Sequence, residues 1–321
     1  MALPLLIFIM ADRNFSPQML VSAFRWMIIF AFALRSVFVL PQFPASNITP
    51  IIQITHGPNL TAGVHRQGDG CFHVFLDVGA NIGVHGRFLF EPEKYPKAGI
   101  ARSIFDSEFG SDRDKRDICS FEFEPNPAHQ QKLKRNSRAY QDMGWRYEYI
   151  QAAAGDFEGY MDFHHNADEE NEEWGFSVKK LVESDTVVEK VPVLRLSSWI
   201  KQHITERLVP SSPFGQNSNF TPTIVMKMDI EGSEYVVLPD LIFSGALCTI
   251  DFLFGEFHPW FAPMNFSGQK IKLETRRDAA HLGQLLSEII GTSRNCKTRF
   301  KYLDDESYLH DGIPLPFPSG S

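Results

Sequence analysis

The residues of this chain that could do chemistry are mainly carboxylates that directly follow short apolar runs. Asp77 ends the run at 71–77, and Glu124 ends a second run at 118–124. The turn after the first run contains Gly79, Asn81 and Gly83. Glycines after a buried strand let the backbone approach a ligand, and an acid at the next strand tip can bind both ribose hydroxyls of a nucleotide. The spacing indicates a nucleotide site, although a tight structural turn would explain the glycines alone equally well.

A second set of ionisable residues belongs to two later apolar runs. Lys227, Asp229 and Glu231 alternate along the first of these runs, and Glu256 and His258 lie two apart at the end of the second. Alternate residues of a strand point to the same side, so each group would share one face. Ionisable side chains are expensive to bury there unless they pair with one another or with a ligand. An ion pair that only fixes the turn remains the alternative to a catalytic role.

The apolar runs and the helix signals alternate in the order of an α/β domain. Asn126 before Pro127 is a helix N-cap followed by proline at the first helical position. The third apolar run is followed by Gly155 and Asp156, which places another acid at a strand tip. The predicted strands begin at Cys71, Ile118, Tyr147, Ile224, Thr249 and Thr298, and the predicted helices cover 129–139 and 273–290.

Five sequence blocks in this order resemble the FkbM-type S-adenosylmethionine-dependent methyltransferases. They are LDVGANIG, FEFEPNP, AAAGD, VMKMDIEGSE and GEFH, and the match runs from about Phe72 to Ser307. The resemblance implies a Rossmann-like class I methyltransferase fold, a seven-stranded mostly parallel sheet with helices on both faces. It also implies S-adenosyl-L-methionine as the cofactor. Its methionine part would be held by Asp77, Gly79, Asn81 and Gly83, its ribose by Glu124 and its adenine edge by Asp156.

Known members of this family mostly methylate hydroxyls, so the resemblance implies O-methylation of a glycan or another small hydroxylated acceptor. His258 is the base candidate by its chemistry and Asp229 by its location, while Glu231, Glu256 and Lys227 would orient the base or the acceptor. We expect no metal, and rank an ion held by Asp229, Glu256 and His258 below the metal-free mechanism. The alternative is a membrane-tethered, non-catalytic binding or scaffold protein that retains the fold. An NAD-dependent oxidoreductase is disfavoured because the three-glycine spacing is missing.

The segment between the first two strands is longer than a strand, helix, strand unit requires, by about twenty residues. The excess falls at 91–116, where Ile100, Ile104, Phe105 and Phe109 have the spacing of one face of a short helix. Two interpretations remain open for this insertion. It either caps the cofactor or lines the acceptor pocket, or it is a surface excursion.

The amino-terminal part of the chain predicts a membrane anchor. Residues 17–40 form an apolar segment long enough to span a bilayer, interrupted by Arg25 and Arg35. A signal-anchor ranks first, a cleaved signal peptide second and an apolar helix packed on the domain third. Glycosylation sequons that all follow this segment favour a lumenal domain in the endoplasmic reticulum or Golgi. These sequons begin at Asn47, Asn59, Asn219 and Asn265.

The expected organisation is a short tail at 1–16, the anchor at 17–40, a stem at 41–70, the catalytic domain at 71–312 and a second tail at 313–321. Four widely spaced cysteines allow one or two disulfides or four buried thiols. The net charge of −8 has no compensating basic block and therefore excludes nucleic acid as the main partner. The expected partners are the acceptor molecule and, through one span, the membrane.

Overall fold

The computed structural model describes residues 65–166, 186–211, 221–259, 261–262, 276–292, 296–303 and 311–317 of the 321-residue chain. These belong to one compact unit that runs from Gly63 to Ser321. The expected tail at 1–16, the anchor at 17–40, the stem up to residue 64 and all four sequons lie outside the described residues. Within the described ranges, no helix has the length and apolar character needed to cross a bilayer.

The central sheet has six strands among the described residues, where the resemblance implied seven. Its strands are β1 (His73–Val78), β2 (Ile118–Phe123), β3 (Arg146–Ile150), β7 (Ile224–Met228), β8 (Phe252–Gly255) and β9 (Arg299–Tyr302). They lie in the order β3-β2-β1-β7-β8-β9, and every neighbouring pair is parallel. The order reverses direction between β1 and β7, and α/β folds bind ligands at such a point, beyond the carboxyl ends of the strands.

The prediction of one continuous strand at 147–154 was wrong, because the structure divides this run between two sheets. β3 ends at Ile150, and β4 (Ala153–Gly155) belongs to a second sheet with β5 (Gly159–Asn166) and β6 (Thr186–Arg195), in the order β4-β6-β5. The amide of Ala152 donates to the carbonyl of Ile150 at 2.9 Å, so a three-residue turn redirects the chain between the sheets.

Helices cover both faces of the central sheet, as expected for this fold class. They are α1 (Val84–Phe90), α2 (Gly99–Phe109), α3 (Gln130–Asp142), α4 (Leu196–Ile200), α5 (Glu234–Ser244) and α6 (Arg276–Thr292). Alternate residues of β1 separate the two apolar cores, since Val74 and Leu76 pack on one side and Phe75 on the other. A strand buried on both faces explains why the sequence of β1 is a continuous apolar run rather than an alternating one.

The insertion at 91–116 contains helix α2, which belongs to the core of one sheet face. Ile104, Phe105 and Phe109 are buried, and the ring of Phe105 lies 4.9 Å from that of Phe75 in β1. Ile100 of the predicted apolar face is half exposed instead. The insertion is therefore not a surface excursion, because its apolar side chains extend the core. Its contact with the cofactor or the acceptor stays a prediction.

All four cysteines form disulfides, Cys71 with Cys119 and Cys248 with Cys296. The first joins the entry to β1 to the neighbouring strand β2, and the second joins the segment after α5 to the entry to β9. Each pair is separated by 48 residues. In the chain-entropy model, closing a loop of this size stabilises the fold by about 4 kcal/mol.

Residues beyond the expected end of the domain at 312 are held by a buried arginine. Arg87 of α1 donates to the carboxylate of Asp311 at 2.8 Å and to the carbonyls of Ile313 and Pro314 at 2.7 and 3.1 Å. Its guanidinium also pairs with Glu91 at 3.1 Å, and both side chains are almost fully buried. A buried guanidinium requires such partners, so the domain extends at least to Pro314.

Candidate active site

A cleft opens beyond the carboxyl ends of β1, β2 and β7. In open α/β sheets this edge is where ligands bind. The residues that line it come from the turns after these strands and from the second sheet. They are Gly79, Asn81, Phe123, Glu124, Pro125, His129, Ala153, Ala154, Phe163, Asp229, Ile230, Glu231 and Ser233.

The turn after β1 forms one wall of the cleft and requires glycine at its first position. The amides of Gly79 and Ala80 both donate to the carbonyl of Phe123 at 3.0 Å, which ties this turn to the end of β2. Gly79 has a φ of 84°, and a Cβ added there would lie 1.7 Å from the carbonyl oxygen of Asp229. The backbone after β1 therefore lies directly against the backbone after β7, and no side chain fits between them.

Glu124 is fixed at the opening of the cleft by two backbone amides. Its Oε2 accepts from the amide of Asn81 and its Oε1 from the amide of Asn126, both at 2.8 Å. The side chain is buried, and His129 Nδ1 lies 3.8 Å from Oε1. A carboxylate has about four acceptor positions, so this one can still accept hydrogen bonds from a ligand in the cleft.

Three charged or acidic side chains stand side by side beneath the turn after β1. Asp77 of β1 is in register with Glu122 of β2 and with Lys227 of β7, and all three are buried. Burial raises the pKa of Glu122 well above its ordinary value, and the charge of Asp77 raises it further. The surroundings of Glu122 therefore favour its protonated form, beside Asp77 and near the ammonium of Lys227.

Lys227 connects the two turns that form the cleft. Its Nζ donates to the carbonyl of Gly79 at 2.6 Å and lies 3.1 Å from Asp229 Oδ2 and 3.8 Å from Asp77 Oδ1. Burial lowers the pKa of Lys227, but the two carboxylates raise it more strongly, and it ends above its ordinary value. The ammonium is therefore charged, and the ion pair foreseen as the alternative for Lys227 is present, with Asp229 as the partner.

Asp77 does not line the cleft. Its side chain is fully buried, and neither carboxylate oxygen has a hydrogen-bond partner among the described residues. The carboxylate faces Lys227 and Glu122 rather than the opening. Its expected contact with the methionine part of a cofactor stays a prediction.

His258 lies among carboxylates from three elements. Its Nδ1 is 3.0 Å from Oε1 of Glu234, the first residue of α5, and its Nε2 is 3.7 Å from Asp229 Oδ1 and 3.7 Å from Glu256 Oε2. Burial lowers the pKa of His258, but the hydrogen bond and charge of Glu234, with Glu231 and Asp229, raise it to about 10. An imidazolium cannot accept a proton, which argues against His258 as the base.

Asp229 and Glu231 are the ionisable groups of β7 and its turn that line the cleft. Burial raises the pKa of Asp229, but the charges of Lys227 and His258 lower it more, so Asp229 is ionised. Burial dominates at Glu231 and raises its pKa to about 7. A carboxylate with a pKa near neutrality is suited to proton transfer, because it changes charge in the working range.

The chain was compared with known families and structures. The Methyltransferase FkbM domain model matches residues 77–300. The chain belongs to the FkbM methyltransferase family. No curated protein matches it. Among solved structures, the chain matches the crystal structure of a Methyltransferase FkbM from Methylobacillus flagellatus KT with 18% sequence identity and a TM-score of 0.28. The match covers 57% of this chain and 32% of that protein, so it spans about a third of that protein's length.

The structure brings most of the predicted site residues of this FkbM family member to one edge of the sheet. Gly79, Asn81, Glu124, Asp229 and Glu231 line the cleft. Asp156 lines a smaller adjoining pocket together with Ala153 and Ala154, which also border the cleft. Lys227 and His258 contact Asp229, and Glu256 lies beside His258. Gly83 is the N-cap residue of α1, with a φ of 80°.

Sequence reasoning missed the roles of Glu122 and Glu234. Glu122 lies inside β2, where its buried side chain is in register with Asp77, whereas Glu124 follows the end of the strand. Glu234 is the last residue of the block VMKMDIEGSE, for which the sequence indicated no role. In the structure it accepts hydrogen bonds from the amide of Ile230 and from His258. The parallel register of β1 and β2 would have placed Glu122 beside Asp77. The contact between Glu234 and His258 arises only from the tertiary fold.

The carboxylates around His258 predict that this FkbM family member loses stability in alkaline solution. Since its pKa rises from 6.5 to about 10 on folding, the stabilisation is complete below pH 6.5 and is lost as pH rises towards 10. The lost contribution is about 1.5 to 3 kcal/mol, as for a hydrogen bond to a charged group. In His258→Gln this pH-dependent part should be absent, and urea unfolding at pH 6 to 10 measures it.

The exposed histidine of α6 provides the matched control, because His281→Gln should keep the pH dependence of the unmutated chain. An equal loss of unfolding free energy between pH 6.5 and 10 in His258→Gln and in the unmutated chain would contradict the charge assignment.

Proposed function

We propose that this chain is an S-adenosylmethionine-dependent O-methyltransferase that acts on a glycan or another small hydroxylated acceptor. Membership of the FkbM family implies methyltransferase activity. The finer assignment rests on one observation, the carboxylate of Glu124 held by two backbone amides at the opening of a cleft beside the β1 turn. An acid at this strand tip is the usual receptor for the two hydroxyls of a nucleoside ribose.

The residues present fit this cofactor. Glu124 retains acceptor capacity for the ribose hydroxyls, and Gly79 in the turn after β1 lines the same cleft. Asp229 and Glu231 supply negative charge near the centre of the cleft, which favours a cation. When bound, S-adenosylmethionine supplies an electrophilic methyl group, whose carbon bonds to the acceptor oxygen as the carbon–sulfur bond breaks and the sulfur leaves as a neutral thioether.

The chain itself must orient the acceptor hydroxyl and take up its proton. Glu231 is suited to accept this proton, because it lines the cleft and its pKa is raised by burial to about 7. His258, as a cation, holds Asp229 and Glu256 in place, and Lys227 holds Asp229 from the other side. The carboxylates would repel an anionic acceptor, so a neutral hydroxylated molecule fits the site best.

Glu124→Ala should weaken S-adenosylmethionine binding at least 30-fold, because the charge-assisted hydrogen bonds to the ribose are lost. Titration calorimetry on the full chain measures the affinity, and the thermal midpoint checks that the variant is folded. Glu148→Ala removes a half-exposed acid from β3 and should leave binding unchanged. Lack of binding by the unmutated chain, or equal binding by Glu124→Ala, would refute the cofactor assignment.

We further propose that the protein is a single-pass membrane protein of the secretory pathway with a lumenal catalytic domain. Two disulfides support this location, because disulfides persist in oxidising compartments and are rare in the cytosol. The apolar segment 17–40 and the sequons that follow it point to the same compartment.

A lumenal domain should carry glycans on some of its sequons. Treatment of the protein expressed in cultured cells with an N-glycosidase should therefore increase its electrophoretic mobility. Replacing Asn47, Asn59, Asn219 and Asn265 by Gln should abolish the shift. An unmodified protein that does not change mobility, with a known glycoprotein shifting in the same lysate, would place the domain on the cytosolic side.

A further inference from the structure

One cluster of side chains has the composition and spacing of a divalent-cation site. Asp229, Glu231 and His258 each offer one ligand atom, and these atoms all lie within 4.8 Å of one another. The side chains are partly buried at the inner end of the cleft, where Asp229 also borders a second, smaller cavity with Glu256 and His85.

The distance between His258 and Asp229 is too long for a hydrogen bond and suits a shared ion. His258 Nε2 lies 3.7 Å from Asp229 Oδ1. Hydrogen bonds between such atoms are shorter, near 2.7 to about 3.2 Å. Two ligands that each lie about 2.1 Å from one ion can be up to about 4.2 Å apart, so one ion can reach both atoms.

A separate observation outside this set of ligands concerns Glu234. Its side chain is 1% exposed and faces the ring of His258, with Oε1 3.0 Å from Nδ1. The other oxygen, Oε2, has no hydrogen-bond partner among the described residues. Metal-bound histidines usually donate their second ring nitrogen to a carboxylate, which fixes the ring with the free nitrogen towards the ion. The Glu234 carboxylate gives His258 this orientation, with Nε2 towards Asp229. An ion at Nε2 replaces the proton that makes His258 a cation in the metal-free chain, because a histidine ligand binds through a deprotonated nitrogen.

We propose that Asp229, Glu231 and His258 bind one divalent cation of the Mn²⁺ class, and that this ion holds the acceptor hydroxyl for methyl transfer. A mixed carboxylate and imidazole set suits first-row divalent ions of this kind. The role of the ion rests on the proposed function, because a bound cation lowers the pKa of a coordinated hydroxyl and fixes its oxygen.

The test is a titration of Mn²⁺ into the full chain after removal of metals with a chelator. Electron paramagnetic resonance should show one bound ion per chain, and pulsed measurements should show ¹⁴N coupling from an imidazole ligand. Asp229→Asn, Glu231→Gln and His258→Gln should each weaken Mn²⁺ binding at least tenfold, and His258→Gln should lose the ¹⁴N coupling. Asp162→Asn, an exposed acid of β5, is the matched control and should bind as the unmutated chain does.

Absence of Mn²⁺ binding at millimolar concentration, or bound Mn²⁺ without ¹⁴N coupling in the unmutated chain, would overturn the proposal. This spectroscopic result decides the question even where a variant fails to fold. S-adenosylmethionine affinity of the metal-free chain is measured in parallel. Cofactor binding without Mn²⁺ binding would refute the cation site and leave the proposed function intact. Mn²⁺ binding without cofactor binding would refute the proposed function and leave the cation site intact.

Discussion

The ammonium group of Lys227 is the contact on which the geometry of the cleft depends. It is buried, bonds to the carbonyl of Gly79 at 2.6 Å, and lies between the carboxylates of Asp77 and Asp229. A buried charge without partners is expensive, so these groups require one another. The turn after β1, which would hold the cofactor, and the turn after β7, which would activate the acceptor, are thereby fixed in one position relative to each other.

The acids of the site have different tasks because their surroundings differ. Asp229 is ionised between two cations, Glu231 is buried enough to titrate near neutrality, and burial together with Asp77 raises the pKa of Glu122. The overall excess of acidic residues therefore says little about the chemistry. The useful information is which carboxylate faces an ammonium, which faces an imidazole and which faces another carboxylate, because these contacts set the charge of each group.

The sequence predicted the fold class, the positions of most central strands and the acids and turn residues of the cleft, because buried parallel strands are continuous apolar runs and ligand residues follow their carboxyl ends. Sequence-based prediction failed where the structure of a segment depends on its contacts with neighbouring strands or with residues distant in the chain. The division of the run 147–154 depends on one turn at Ala152, and the burial of α2 depends on the ring of Phe75. The proximity of Glu234 to His258 joins residues 24 positions apart and follows only from the packing of α5 beside β8.

We propose that the β1 turn, held in place by Lys227, is the cofactor site. The affinity of Lys227→Met for S-adenosylmethionine measures how far cofactor binding depends on this contact. Methionine keeps much of the side-chain volume but removes the charge and the bond to Gly79. Calorimetry should show an affinity at least tenfold weaker than that of the unmutated chain, with Lys297→Met, a half-exposed lysine near β9, unchanged. Equal affinity of a folded Lys227→Met and the unmutated chain would contradict the account.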